Sequence, residues 1–329
     1  MADYKDIHGT NIETVTSDPS NPINGQVWYN STEQKLKGFT SSPAGTWATL
    51  SNANTARGSR PGGGGTKDAA LMFGGEPGTA YVALTETWDG SSWTEVGDLN
   101  TIRSNTYGAA RTNTAALCIA GLNTSQPDFN LKVVENWNGS SWTEVGDLNT
   151  QRYNMAAIGT NTAALAFSGN QFGVGVKANA ESWNGSSWTE VGDVNTARDG
   201  ASGLGATSTN GLCVGGSPAT AIVESWNGSA WTETTDLNTG NQVQGAGGDY
   251  TAGLVYGGSP ANARTEEWNG SSWTEKNDLN TARRSVASSL AGSPTANLAI
   301  AGGSGSPSVT AATEGWTAPI TSTVEFDLS

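Results

Sequence analysis

One histidine, two cysteines and three methionines are spread over 329 residues, so the side chains that most often ligate metals or carry covalent chemistry are nearly missing. Ser-His-Asp and Cys-His arrangements each require a histidine, and His8 stands alone in a polar start to the chain. No P-loop and no zinc-ligand spacing occurs either. The expectation is a chain that is not an enzyme and holds no metal or cofactor. Cations are scarce as well: 16 Lys and Arg against 30 Asp and Glu leave a net charge of −14. Nucleic acid and anionic membrane surfaces both reward clustered cations, so neither is expected as a partner. No apolar run reaches the roughly 18 residues of a membrane-spanning helix, which argues against membrane insertion. The opening Met-Ala-Asp-Tyr-Lys-Asp has no hydrophobic signal segment, so synthesis and folding in a cytoplasm are expected. Cys118 and Cys213 occupy matching points of different repeats and read as small buried thiols, too far apart to bridge.

What the chain does have is 13 tryptophans and 44 glycines, and the tryptophans are periodic. The phrase Trp-Asn-Gly-Ser-Ser-Trp-Thr-Glu recurs almost unchanged, pairing Trp88 with Trp93, Trp137 with Trp142, Trp183 with Trp188, Trp226 with Trp231 and Trp268 with Trp273. Successive first tryptophans lie between 42 residues (226 to 268) and 49 residues (88 to 137) apart, the range of four-stranded propeller blades. Within one period, Arg152 to Arg198, a small-residue stretch, an apolar run, a variable loop and the Trp hairpin read as four short strands, a to d. The first strand is Gly/Ala/Ser-rich, as strands crowded around an axis must be. The second carries Leu71, Leu117, Leu165, Leu212, Leu254 and Leu298 in turn, which counts six blades. Each Trp pair flanks an Asn-Gly-containing turn, a hairpin signal that brings both rings together.

The fold class is therefore all-β, a six-bladed propeller over residues 41–329 behind an N-terminal anchoring segment, residues 1–40, that contains a β-hairpin. Trp47 to Arg57 matches an outer strand and linker whose inner strands are missing, while the last unit has Trp316 and no second tryptophan. The N-terminal strand can complete the last blade and close the ring; Ser322 to Leu328 is the competing strand for that place.

Each linker repeats an acid (Asp98, Asp147, Asp193, Asp236, Asp278) and, five residues on, an arginine (Arg103, Arg152, Arg198, Arg283), with Asn52 and Arg57 in the first copy and Asn241 breaking the pattern. Loop hydrogen bonding together with Asp–Arg pairing that joins neighbouring blades is one reading; an arginine ring that binds an anion at the channel mouth is another. Strand parity puts the b–c loops and d–a linkers on one face and the a–b and c–d turns on the other. The c–d turns hardly change between units, whereas the b–c loops diverge, and divergence on a uniform scaffold marks where recognition belongs. Tyr81, Gln126, Asp128, Phe129, Asn130, Gln171, Phe172 and Lys177 are the candidate ligand-binding residues there, because they combine aromatic faces with amide and charged tips.

Glycine pairs after an apolar strand (Gly74-Gly75, Gly215-Gly216, Gly257-Gly258, Gly302-Gly303), then spaced tryptophans and a linker arginine, resemble the kelch repeat over roughly residues 57–318. Two units depart from it, with Ala120-Gly121 and Ser168-Gly169, and the kelch tyrosine is missing. Residues 21–39, Asn-Pro-Ile-Asn-Gly-Gln-Val-Trp-Tyr-Asn to Gly-Phe, are similar to a short hairpin module of tailed-phage structural proteins. The whole resembles the kelch-like virion proteins of marine bacteriophages. That resemblance implies a non-enzymatic virion component, a tail fibre, spike or decoration, with residues 1–25 docking on other virion proteins. It implies a propeller displayed toward a host-surface glycan or protein, and a homo-oligomer by analogy with symmetric virions. A stand-alone carbohydrate-binding propeller is the alternative. Ser-Trp-Asn-Gly-Ser-Ser-Trp also stands where six-bladed sialidases carry Ser-x-Asp-x-Gly-x-Thr-Trp, but it is one residue short and lacks the Asp, so a glycan hydrolase ranks behind both.

Overall fold

A computed structural model describes residues 12–23, 25–41, 45–78, 80–125, 129–305, 308–318 and 321–326. Among the described residues every regular element is a strand. They divide into two compact units, Thr46–Thr317 and the pieces on either side of it.

Among the described residues the larger unit contains six four-stranded sheets and two short two-stranded ones. In the third, Ala156–Gly159 (strand a), Ala164–Phe167 (b), Ala180–Trp183 (c) and Trp188–Val191 (d) pair antiparallel in that order, with Trp183 opposite Trp188 across the outer hairpin. The remaining four-stranded sheets repeat this register, so the chain has the β-propeller fold. The inner strands are small because their main chains touch. A methyl group added at Gly63 would lie 2.5 Å from Ser288 O, and one at Gly108 would lie 2.1 Å from Gly63 O.

The sixth sheet takes its outer strand from the start of the unit: Thr46–Leu50 pairs with Thr313–Thr317, setting Trp47 opposite Trp316. Of the two ring closures open from sequence, this is the one formed. Thr321–Phe326, within the range expected to be propeller, instead pairs with Lys35–Ser41 of the N-terminal hairpin. The reason is that the Trp47 strand already satisfies the edge of the last blade.

Blades are glued by aromatics. The residue ending strand b of one blade meets the second tryptophan of the next: Phe73 with Trp142 at 4.9 Å between centroids, Phe167 with Trp231 at 4.8 Å and Tyr256 with Trp47 at 4.8 Å, all edge-on. Within each hairpin the two indoles lie 5.1 to 5.5 Å apart. The first indole is tied to its own a–b turn, as Trp183 is to Asn161 O at 3.0 Å. All ten paired tryptophans are buried. Cys118 and Cys213 are both buried and free.

The smaller unit is one four-stranded sheet. Val27–Asn30 and Lys35–Ser41 form its hairpin, Glu13–Val15 adds a parallel strand and Thr321–Phe326 the far edge. Asp18 organises it, accepting from Trp28 Nε1 (3.0 Å), Asn30 Nδ2 (2.8 Å) and Lys37 Nζ (2.8 Å). Those bonds, led by Lys37, hold its carboxyl down at about 2.

Candidate ligand-binding face

The linkers that carry the repeated arginines define the b–c face. Each linker is stapled to the blade it enters by a glutamate two residues before that blade's first tryptophan. Glu135, fully buried, takes Arg103 Nη2, the main-chain N–H of Thr101 (3.2 Å), and both the main-chain and side-chain N–H of Asn100 (2.7 and 2.9 Å). Arg103 continues to Val133 O at 2.8 Å, and Asn100 to Trp142 O at 3.0 Å, so one linker touches strands b, c and d. The same staple joins Arg57 to Glu86, Arg152 to Glu181 (3.2 Å), Arg198 to Glu224 (2.7 Å) and Arg283 to Glu314 (2.9 Å).

The loop hydrogen bonding of the first sequence reading is present, but among the described residues no linker aspartate pairs with an arginine, and the second reading is corrected outright. Three of the five repeated aspartates cap strand c, Asp98 accepting from Thr85 N, Asp193 from Ala180 N and Asp236 from Val223 N, each at 3.2 Å, while Asp147 pairs with Lys132 at 3.5 Å. The five linker arginines are spent on glutamates in the interior and do not form an anion ring. The signal was in the sequence, as Glu86, Glu135, Glu181, Glu224, Glu266 and Glu314 recur at one offset from each first tryptophan. Burial lowers the pKa of Arg57, Arg152 and Arg283, opposed in each by its glutamate.

Just after each linker arginine, and after Asn241 in the linker that lacks one, the chain turns through the left-handed region, at Ser59, Asn105, Asn154, Gly200, Val243 and Ser285, with φ between 49° and 64°. These six residues form the rim of the axis. Main-chain bonds run head to tail around it: Asn105 N to Ser59 O (2.7 Å), Asn154 N to Asn105 O (3.0 Å), Gly200 N to Asn154 O (2.8 Å), Val243 N to Gly200 O (2.7 Å) and Ser285 N to Val243 O (2.9 Å). Arg60 lies buried beneath, reaching from the first blade to Asn154 O (3.2 Å) and Ala201 O, with its guanidinium 5.0 Å from the Tyr107 ring centroid. Burial lowers its pKa, and among the described residues no carboxylate stands within ion-pair distance of it. Above the rim opens a depression of about 270 Å³, whose lining includes Ser59, Glu76, Asn105, Asn154, Gln242 and Arg284.

The loop candidates sit elsewhere on this face. Phe129 and Phe172 meet edge-on at 5.1 Å, and Phe172 N donates to Asn130 Oδ1 at 2.8 Å, which joins the b–c loops of the second and third blades. Gln171 belongs to the same small hairpin, Asn170–Gln171 with Gly175–Val176, and Lys177 follows it. The tip is apolar and open, with Phe172 56% and Val174 65% exposed. Tyr81 is half-buried on the first blade, outside this cluster. Gln126 and Asp128 lie outside the described residues. None of the six described candidates lines the depression; small polar linker residues build it, and nothing in their local sequence marks them.

No protein-family model matches the chain, and no curated protein matches it. Solved structures do match: the structure of YjhT covers 84% of this chain, and 99% of YjhT is covered in turn, with a TM-score of 0.63 at 13% identity. At that identity it is the β-propeller fold that is shared. The expectation that the chain is not an enzyme does not hold, since the fold shared with YjhT carries no such exclusion.

Proposed function

We propose that this chain is the recognition propeller of a tailed-phage virion, mounted on the particle through its N-terminal segment and presenting the b–c face to a host-surface glycan or protein. The observation that carries the reading is the contrast between the two faces. Five c–d turns repeat one geometry, in which an Asp or Asn Oδ1 accepts from the N–H groups two and three residues on, at 2.8 to 3.0 Å, in Asp89, Asn138, Asn184, Asn227 and Asn269. On the opposite face the loops of the first, second, third and sixth blades differ in sequence, and only the fourth and fifth blades share one short Gly-Gly-Ser-Pro-Ala loop. They include the Phe129–Phe172 contact and the added hairpins Asn170–Val176 and Gly303–Val309. Identical turns suit a scaffold, and divergent loops beside a polar depression suit a binding surface. The mounting role is supported by the hairpin of Val27–Asn30 with Lys35–Ser41, which falls where the sequence resembles the phage module.

Two measurements test this. Deleting residues 1–25 from the full chain is expected to abolish incorporation into particles while tryptophan fluorescence reports an intact propeller; undiminished incorporation sinks the mounting role. Replacing Phe129 and Phe172 together by Ser is expected to reduce binding of the labelled protein to host cells, whereas Asn184→Asp in a c–d turn leaves it unchanged. Equal binding by all three proteins would overturn recognition through this face.

A further inference from the structure

The main-chain ring around the axis is incomplete. Five of its six blade boundaries are closed by one N–H to C=O bond, and the sixth, between the last blade and the first, is not: Ser59 N–H and Ser285 C=O have no hydrogen-bond partner among the described residues. The depression opens at this boundary. Ser59 and Glu76 of the first blade and Arg284, Ser285 and Ser308 of the last line it, and Asn154 lies across the rim.

Two side chains there are under-used as well. The guanidinium of Arg284 contacts only Ser259 Oγ, at 3.4 Å, and no carboxylate is within ion-pair distance among the described residues. Asn154 Oδ1 is buried with no donor among the described residues. Glu76, by contrast, is engaged by Ser59 Oγ. The wall thus offers an unpaired main-chain donor beside an unpaired main-chain acceptor, with one guanidinium and one carboxamide oxygen free. Among the described residues, no aromatic side chain lines the depression to stack a flat ligand.

A secondary amide is the complement of an unpaired N–H and C=O, since it carries one acceptor and one donor on adjacent atoms. We infer that the depression binds a small ligand through a secondary amide group, which accepts from Ser59 N–H and donates to Ser285 C=O. The amide stands in for the blade-to-blade bond that this boundary lacks. Arg284 then meets a further acceptor of the ligand and Asn154 Oδ1 a further donor. The amide can come from the acetamido group of an N-acetylated sugar or from a peptide bond. This inference rests on the recognition reading of the b–c face, and adds a ligand contact at the seam of the ring to those at the loop tips.

Water can satisfy each of these groups singly, so selectivity for an amide is the discriminating observation. The full chain is titrated by saturation-transfer NMR and calorimetry with N-acetylglucosamine, with glucose, and with N-acetylglycine N′-methylamide. At least one amide probe is expected to bind in the millimolar range, with glucose roughly tenfold weaker or more. Binding of the sugar alone assigns an acetamido ligand, binding of the capped amino acid alone assigns a peptide, and binding of both assigns the amide itself. Ser308→Trp, at an exposed rim position, is expected to weaken binding by a similar factor without moving the unfolding temperature, and Arg284→Gln to weaken it without loss of fold. Silence of both amide probes, equal binding of glucose, or undiminished binding by Ser308→Trp overturns the inference. Host-cell binding that survives Ser308→Trp but falls with the Phe129 and Phe172 substitutions keeps the recognition reading and removes only the seam.

Discussion

Trp142 donates its indole N–H to Thr85 Oγ1 of the preceding blade at 3.0 Å, a buried bond that closes the boundary between the first two blades. Trp93 and Trp47 make the same bond to Thr313 (3.1 Å) and Thr265 (3.0 Å). Where strand c of the preceding blade lacks that threonine, a carbonyl substitutes: Gly192 O for Trp231 and Thr235 O for Trp273. Trp188 has neither. Val134 occupies the threonine position and packs in the same core cluster, and Trp188 Nε1 is buried without a partner among the described residues.

Val134→Thr is therefore expected to stabilise the protein by about 1 kcal/mol, because the new hydroxyl meets a donor that is already desolvated. The matched control is Val223→Thr. Its neighbour Trp273 is already satisfied, so that hydroxyl is buried with nothing to gain and the change should cost about 1–3 kcal/mol. Denaturant unfolding of the two variants is expected to move the midpoint in opposite directions; movement in the same direction refutes the account of the orphaned indole.

The glutamate staples differ in what they leave behind. Glu135→Gln strands a fully buried Arg103 with no counter-charge and is expected to cost about 3–5 kcal/mol. Glu266→Gln removes the same carboxylate from the one blade whose linker has Asn241 instead of arginine, where only hydrogen bonds from Asn238 and Thr239 are at stake. That change should cost about 1 kcal/mol. Equal losses in equilibrium unfolding would mean that the ion pairs contribute nothing beyond their hydrogen bonds.

How much of this was legible depended on whether a signal repeats. The Trp hairpins, the anchor leucines and the Gly-rich inner strands recur in register, and each reports a constraint that every blade shares, so the blade count and strand order follow from them. The Arg–Glu staple also repeats, but its partners lie about thirty residues apart (Arg103 and Glu135), and the nearer linker aspartate drew the arginine in the sequence reading. The axial rim was not legible at all. Ser59, Asn105, Asn154, Gly200, Val243 and Ser285 share a left-handed backbone and no side-chain chemistry, so only the fold brings them together.

Cys118 and Cys213 are pushed up to about 11 by burial, so at pH 8 neither carries appreciable thiolate. The native protein is expected to leave both unmodified by a thiol reagent over hours, and to react at both once unfolded in guanidinium. Fast labelling of either thiol in the native state would show that its blade opens locally.

Asp89 supplies an acid-sensitive element that the other four tryptophan hairpins lack. Its Oδ1 accepts from Ser91 N, Ser91 Oγ and Ser92 N, each at 2.8 Å, and these bonds hold its carboxyl at about 2, against an ordinary value of 3.8. Because the folded value is depressed, the stabilisation is fully present above the unfolded value and is lost as pH falls from about 3.8 through about 2. Asn138, Asn184 and Asn269 make the same three bonds with a neutral oxygen at 2.9 to 3.0 Å. Asp89→Asn should therefore keep the turn and remove its dependence on ionisation. Asp18 titrates in the same window, but it is common to both proteins and cancels in the comparison. The difference in unfolding midpoint between wild type and Asp89→Asn is expected to stay constant above about pH 5 and to shift in favour of the variant between about pH 4 and pH 2. A difference that stays flat across that acid range would mean that the Asp89 turn bonds do not favour the ionised carboxylate.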